Sequence, residues 1–304
     1  MKKLKGLLVC LFATAMLFSL AACDSFSKET GTEIITGQEA LNLLENDNTV
    51  LVDASNIEGY TFNHIANAVS IPRAAITITV NDVPNMLASK EQIETVLGEA
   101  GIANDTTVIV YDTNNNMDAA RLWWTMKIYG HENVKVVSGG KDALVAAGAE
   151  KNDDEVVITP TTYVAKDLDT SMIATEDDVL AQVNDPDQNT KLLDTRTLEE
   201  YNAGTIPSSV FINYVDNNNE DTTYKDITTI QNMYLDANII PDDEVIMYCK
   251  TSIRGAETYL ALYNAGFKNL KLYDGAYSEW VLDESNPIYY PADAPVEVAP
   301  SDNS

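Results

Sequence analysis

A chain of 304 residues with 47 acidic against 19 basic side chains carries a formal charge of −28, which excludes nucleic acid and anionic lipid surfaces as electrostatic partners. Its 2 histidines and 3 cysteines lack the paired spacing of a zinc site or a disulfide framework, and no glycine-rich nucleotide loop is present, so neither metal nor cofactor is expected. The acids are spread along the chain, as on a solvated surface, and are not gathered in a tail.

Lys2, Lys3 and Lys5 precede an apolar run from Leu7 to Phe18 that is too short to span a bilayer comfortably, and residues 1–22 read as a signal peptide. Its end, Leu20-Ala21-Ala22-Cys23, resembles the lipobox of bacterial lipoproteins. That resemblance implies lipidation at Cys23 and an extracytoplasmic protein anchored to the cell membrane through its N-terminal lipid. Residues 23–32 are small and polar, as suits a tether. Cys10 leaves with the signal and Cys23 takes the lipid, so Cys249 remains as a lone thiol. Exported cysteines usually pair, which makes this one unusual, although a buried inert cysteine is the plainer reading of the residue type alone.

The rest of the chain repeats itself. Val50-Leu51-Val52-Asp53-Ala54, followed by His64-Ile65 and Ala68-Val69-Ser70-Ile71, recurs at a constant shift as Lys191-Leu192-Leu193-Asp194-Thr195, then Thr205-Ile206 and Ser209-Val210-Phe211-Ile212. Val108-Ile109-Val110-Tyr111 recurs as Val245-Ile246-Met247-Tyr248 after a short deletion. Two copies of one unit follow, at 33–147 and 172–292, joined by a polar linker over 148–171 that contains Pro160 and trailed by residues 293–304. Each copy alternates short β-branched runs with longer segments of helical period, which predicts an α/β fold: a parallel sheet flanked by helices. Thr107 to Tyr111 and Glu244 to Tyr248 read as buried strands. Met117 to Tyr129 and Arg254 to Ala265 read as the helices after them, closed by Gly130 and Gly266. Trp123, Trp124 and Tyr259 are expected in the core. Thr175-Glu176-Asp177-Asp178 reads as a helix start opening the second copy.

Cys249 therefore stands between a strand and a helix, with Lys250-Thr251-Ser252-Ile253 leading to Arg254. A nucleophile there faces the positive end of the helix and free backbone N–H groups, and the two cations add to the field. Such a placement favours the thiolate, which matters because an unperturbed thiol of pKa ~8.5 is mostly protonated at neutral pH. The same loop would cradle an anionic group on an incoming substrate.

The stretch Tyr248-Cys249-Lys250-Thr251-Ser252-Ile253-Arg254-Gly255 resembles the active loop of rhodaneses, the thiosulfate sulfurtransferases. Leu193-Asp194-Thr195-Arg196, Glu200-Tyr201 and Gly204-Thr205-Ile206-Pro207 resemble that family's first signature, and Tyr273-Asp274-Gly275-Ala276-Tyr277-Ser278-Glu279-Trp280 its C-terminal one. The likeness implies a two-domain rhodanese in which Cys249 takes a sulfane sulfur as a persulfide and yields it to an acceptor. Arg254 would be catalytic beside Cys249, and Arg196, Lys250, Thr251, Ser252 and Ile253 would bind substrate. For Arg196 a structural ion pair is the alternative. Lys250 favours a thiosulfate-like donor over 3-mercaptopyruvate, and the acceptor would be a thiol or cyanide. Ser252 stands where a loop glycine is common, so its backbone would be strained if it adopts positive φ. Thr205 replaces a histidine that the first copy keeps as His64.

The first copy has Asp112 at the cysteine position, followed by a loop one residue longer, so it is expected to be inactive, with Asp112 as a helix cap or interface residue. Three readings compete for the second. The first is a monomeric sulfurtransferase. A cysteine phosphatase is opposed by the loop length, since only four residues separate Cys249 from Arg254. A non-catalytic or persulfide-carrying surface module is kept open by the strong negative charge.

Overall fold

The computed structural model describes Phe26 and residues 30–291; the signal, Cys10, Cys23, most of the tether and the tail from 292 lie outside the described residues. Two five-stranded sheets of identical order stand side by side. The first runs Ile34–Ile35, Val134–Val137, Thr107–Tyr111, Thr49–Asp53, Val69–Ser70, and the second Ile173–Ala174, Asn269–Tyr273, Glu244–Tyr248, Thr190–Asp194, Val210–Phe211, with every pairing parallel. Asp53 lies opposite Tyr111 and Asp194 opposite Tyr248, so the registers of the two copies coincide. This is the duplicated α/β unit that the sequence repeat predicts.

Helices start where short polar side chains satisfy the free N–H groups of the first turn. Thr36, Thr175 and Thr197 each form a capping box, with Glu39, Asp178 and Glu200 three positions on. The helices after the two central strands span Met117–Ile128 and Ile253–Asn264, and Gly130 and Gly266 follow them with φ of 81° and 92°. Both helices are buried over nearly their whole circumference, because they lie back to back between the two sheets. Trp123 of the first meets Tyr263 of the second edge-on at 5.3 Å. Trp123, Trp124, Tyr259, Val110 and Met247 belong to one continuous core that spans both copies. Glu33 and Ile34 of the first copy also donate their backbone N–H groups to the Asn264 side chain, at 2.9 and 3.2 Å.

The segment read as a polar linker adheres to the first copy. Lys151–Asn152 pairs antiparallel with His64–Ile65. Further on, Thr161 donates to the Gly98 carbonyl, Lys166 to that of Tyr129 and Asp169 to that of Ile128. Tyr163 and Ala165 are buried. The segment lacks apolar period because two side chains, not a helical face, do its anchoring. Among the described residues no helix is long and apolar enough to cross a membrane.

Candidate functional site

The loop begins where the Glu244–Tyr248 strand ends, and the backbone around it is tied down on both sides. Thr195 donates N–H to the Tyr248 carbonyl at 3.0 Å, Tyr277 to that of Cys249 at 3.0 Å and Ser278 to that of Lys250 at 3.0 Å. The Tyr248 hydroxyl is held by Thr205 at 2.8 Å and Ser209 at 2.7 Å. Thr205 also donates to Asp194, whereas His64 at the matching place in the first copy meets the Tyr60 carbonyl at 3.0 Å. These contacts set Cys249 at the carboxyl end of a central strand, beneath the loop. Its residue is 1% exposed.

Arg254, in the first turn of the Ile253–Asn264 helix, returns toward this thiol while donating to both Glu200 oxygens, at 2.5 and 2.9 Å. Burial works against its charge, but the Glu200 carboxylate and the Cys249 sulfur outweigh it and hold the guanidinium above its ordinary range. Glu200 in turn is drawn down to about 2, chiefly by that bond from Arg254. Because Glu200 is also the capping-box residue of Thr197, a helix start fixes the carboxylate that fixes the arginine. Lys250 is exposed and Thr251 half-buried, and these two with Arg254 border the outer side of the thiol.

Three of the residues expected at the substrate have buried side chains. Arg196 is buried, with Nε and Nη2 on Asp194 and Nη2 also on the Gly204 carbonyl at 2.7 Å, and its guanidinium stacks 3.9 Å from the Tyr277 ring. Those bonds pair it with Asp194, the contact on which the alternative reading of a structural ion pair rests. The Ser252 side chain turns away from the outer face into the boundary between the copies. The Ile253 side chain is buried; its contribution to a substrate would be confined to its backbone. Ser252 has φ of 62°, the positive value that its place in a glycine position implies.

The first copy displays what its loop is built to hold. The Asp112 carboxylate accepts N–H bonds from Asn114, Asn116, Asp118 and Ala119, at 2.9, 3.0, 2.8 and 2.9 Å. Burial pushes this acid up to about 6 against those four bonds. It caps the helix, as expected, but through an anion nest and not a single bond. Asn116 and Ser252 both enter their helices with left-handed backbone, φ of 63° and 62°, so the two loops close on the helix alike. A cleft of about 760 Å³ opens over the first loop, lined by Asn56, Arg73, Asn85 and Asp118 among others, yet the first copy contains no thiol.

Sequence reading missed Glu200 as the partner of Arg254, and missed Arg121 altogether. Arg121 is fully buried; its Nη1 donates to Ser252 Oγ at 3.0 Å and its Nη2 to Asp274 Oδ1 at 2.7 Å and to the Asn85 carbonyl at 3.0 Å. A lone arginine within Ala119-Ala120-Arg121-Leu122-Trp123-Trp124 was the available signal, since a charge amid such a run needs a partner.

Comparison with known proteins agrees with the duplication. The rhodanese-like domain family matches residues 36–147 and again 175–283. A Mycobacterium bovis protein named "Putative thiosulfate sulfurtransferase 1" is 32% identical over 238 residues, 73% of this chain and 84% of its own. A Mycobacterium leprae protein of similar name is 31% identical over 266 residues, 81% and 94% of the two chains. Among solved structures, wild-type EanB superposes with a TM-score of 0.76 at 21% identity, covering 85% of this chain and 69% of that one. An anaerobic ergothioneine biosynthesis enzyme from Chlorobium limicola does so with a TM-score of 0.75 at 21% identity, covering 84% and 69%; at such identity these two speak for the fold. Matched twice along its length, the chain belongs to the rhodanese family.

Proposed function

We propose that the second copy is a thiosulfate sulfurtransferase and the first its inactive support. One observation carries this reading: Cys249 stands between the Glu244–Tyr248 strand and the Ile253–Asn264 helix, at the position where the first copy aims four backbone N–H groups at the Asp112 carboxylate. Such a nest suits a thiolate, and a persulfide after it. The Cys249 thiolate attacks the outer sulfur of thiosulfate; a sulfur–sulfur bond to Cys249 forms, the bond within thiosulfate breaks, and sulfite leaves with the electron pair. A thiol or cyanide acceptor then attacks the outer persulfide sulfur and Cys249 departs as thiolate, which closes the cycle without net redox change. Arg254, which interacts with Cys249, steadies the sulfur's charge, and the exposed Lys250 meets the donor anion at the surface. With four residues between Cys249 and Arg254, the cradle fits a single sulfur better than a tetrahedral phosphate.

The test is cyanide-dependent thiocyanate release from thiosulfate, with mass measurement of the Cys249 peptide after donor alone. Turnover together with a gain of one sulfur supports the reading; an unmodified Cys249 overturns it. A stable persulfide without turnover would favour the carrier reading, which the charge of −28 keeps open. Mercaptopyruvate is the alternative donor.

We also infer that the chain acts as a monomer outside the cytoplasm, lipid-anchored through Cys23. The support is the sequence of residues 2–23 alone. Cys23→Ala should release the protein from sedimented membranes, and continued sedimentation would count against the anchor.

A further inference from the structure

The two helices that carry the loops lie against each other, and the left-handed residue that immediately precedes each helix is held by the other copy. Asn116, in the first loop, donates from Nδ2 to Asn218 Oδ1 at 3.1 Å and to the Thr222 carbonyl at 2.7 Å, both in the second copy. Ser252, in the second loop, receives Arg121 Nη1 of the first copy at 3.0 Å. The difference between the two is chemical. Asparagine tolerates left-handed backbone, whereas serine does so less readily and lacks a side chain long enough to reach across by itself. At Ser252 the reach comes from the partner copy.

We propose that Arg121 is a positioning residue for Cys249, acting through Ser252: the catalytically inert copy keeps the active loop's N–H groups aimed at the sulfur. The guanidinium is fully buried and shared among three acceptors. Asp274 binds it through Oδ1 while its Oδ2 takes the Leu87 N–H of the first copy at 2.7 Å. Asp274 Oδ1 also lies 3.2 Å from the Ser252 hydroxyl, so one carboxylate and one arginine clamp the serine from both sides. In the first copy the N–H of Asn116, the counterpart of Ser252, is one of the four donors on the Asp112 carboxylate. By that correspondence Ser252, held at φ of 62°, would turn the equivalent N–H toward Cys249. Arg121 touches neither substrate nor sulfur in this arrangement; it sets the angle of a group that does. The proposal rests on Cys249 being reactive, but not on sulfur transfer.

The test reads Cys249 directly. Full-length protein is alkylated with iodoacetamide across a pH series, and the rate at Cys249 is followed by peptide mass spectrometry in wild type, Arg121→Lys, Ser252→Gly and the double variant. Lysine keeps the charge beside Asp274 but loses the fork that also reaches Ser252, so the fold is retained while the clamp is lost. In the serine background Arg121→Lys should move the midpoint of the pH–rate curve up by about one pH unit, a fall of about ten-fold in rate at neutral pH. In the Ser252→Gly background, where the backbone adopts positive φ without help, the same change should cost less than about two-fold. Equal effects in both backgrounds, or no effect in either, would overturn the proposal, since a merely structural arginine acts regardless of residue 252. Melting curves of the four proteins show whether any has lost its fold. Should Arg121→Lys unfold, Arg121→Gln in the two backgrounds decides by the same comparison. The sulfurtransferase reading fails separately, by absence of thiocyanate from a protein whose Cys249 alkylates normally.

Discussion

At the scale of single residues, the site is a chain of dependence in which each charge is oriented by the next. Thr197 caps a helix and fixes Glu200, Glu200 fixes both guanidinium nitrogens of Arg254, and Arg254 lies beside Cys249. Replacing Cys249 by serine should lower thiocyanate formation by about three orders of magnitude or more, because a hydroxyl at this position cannot carry the sulfur. Glu200 is held down at about 2 against its ordinary 4.5. A depressed carboxylate contributes stability above its unfolded value that is lost as pH falls through the folded one, so the wild type should lose this contribution between about pH 4.5 and 2. Glu200→Gln should cost about 1–2 kcal/mol at neutral pH, a modest amount because the pair is partly exposed, and nothing near pH 2. Urea unfolding at the two pH values checks both. Lys250→Gly should cut kcat/KM for thiosulfate by about ten-fold relative to mercaptopyruvate, through loss of a surface cation in a field dominated by acids; an unchanged ratio in steady-state assays of both donors would remove thiosulfate's claim. The names of Cys249, Arg254 and Lys250 were legible from sequence because loop and helix start are local. For Arg196 the sequence left two readings, because whether a guanidinium pairs with Asp194 is settled by packing.

At the scale of elements, the two copies solve one geometric problem with different residues. The carbonyl of residue 112 accepts from Lys141 N–H and that of residue 249 from Tyr277 N–H, which brings the next helix onto the loop through a left-handed residue just before its donor. In the first copy this is Gly140, φ 54°, where an added Cβ would meet the Asp112 carbonyl oxygen at 2.2 Å; in the second it is Ala276, φ 55°. Gly140→Ala should therefore destabilise by about 2 kcal/mol or more, since backbone and strain oppose it together. Ala276→Gly should stay within about 1 kcal/mol of wild type, as relief of strain and added chain entropy offset one another. Thermal melts of both variants are the measurement. Helix boundaries were read to within a residue because caps and terminal glycines are short-range signals. The adhesion of residues 151–169 to the first copy was not, because Tyr163 and Ala165 become anchors only against a surface already folded.

At the scale of the molecule, the buried boundary between the copies is polar as well as apolar. Glu257, on the active-loop helix, is fully buried and held by Asn217 at 3.0 Å and Asn218 at 2.9 Å. Burial pushes it up to about 8 from 4.5. An acid raised by folding is most stabilising while protonated, so this group's contribution should be complete below about pH 4.5 and lost as pH rises through about 8. Glu257→Gln should flatten that part of the melting-temperature profile and leave the acid side unchanged, which scanning calorimetry across pH 4 to 9 would read. The same boundary carries the Asn116 and Arg121 bonds, so the left-handed residue at the start of each of the two packed helices is held from across the junction.

The amino-acid pattern alone determined the duplication, the parallel α/β unit, the absence of a thiol from the first loop and the identity of the candidate nucleophile. All of these are expressed in local periodicity, caps and the spacing of a few residues along the chain. Only the tertiary structure decided which charges meet. Arg254 found Glu200 across 54 positions of sequence, and Arg121 found Ser252 and Asp274 across 131 and 153. Pairing of buried charges is set by which ends of which helices and strands come together, and no window along the chain holds both partners at once.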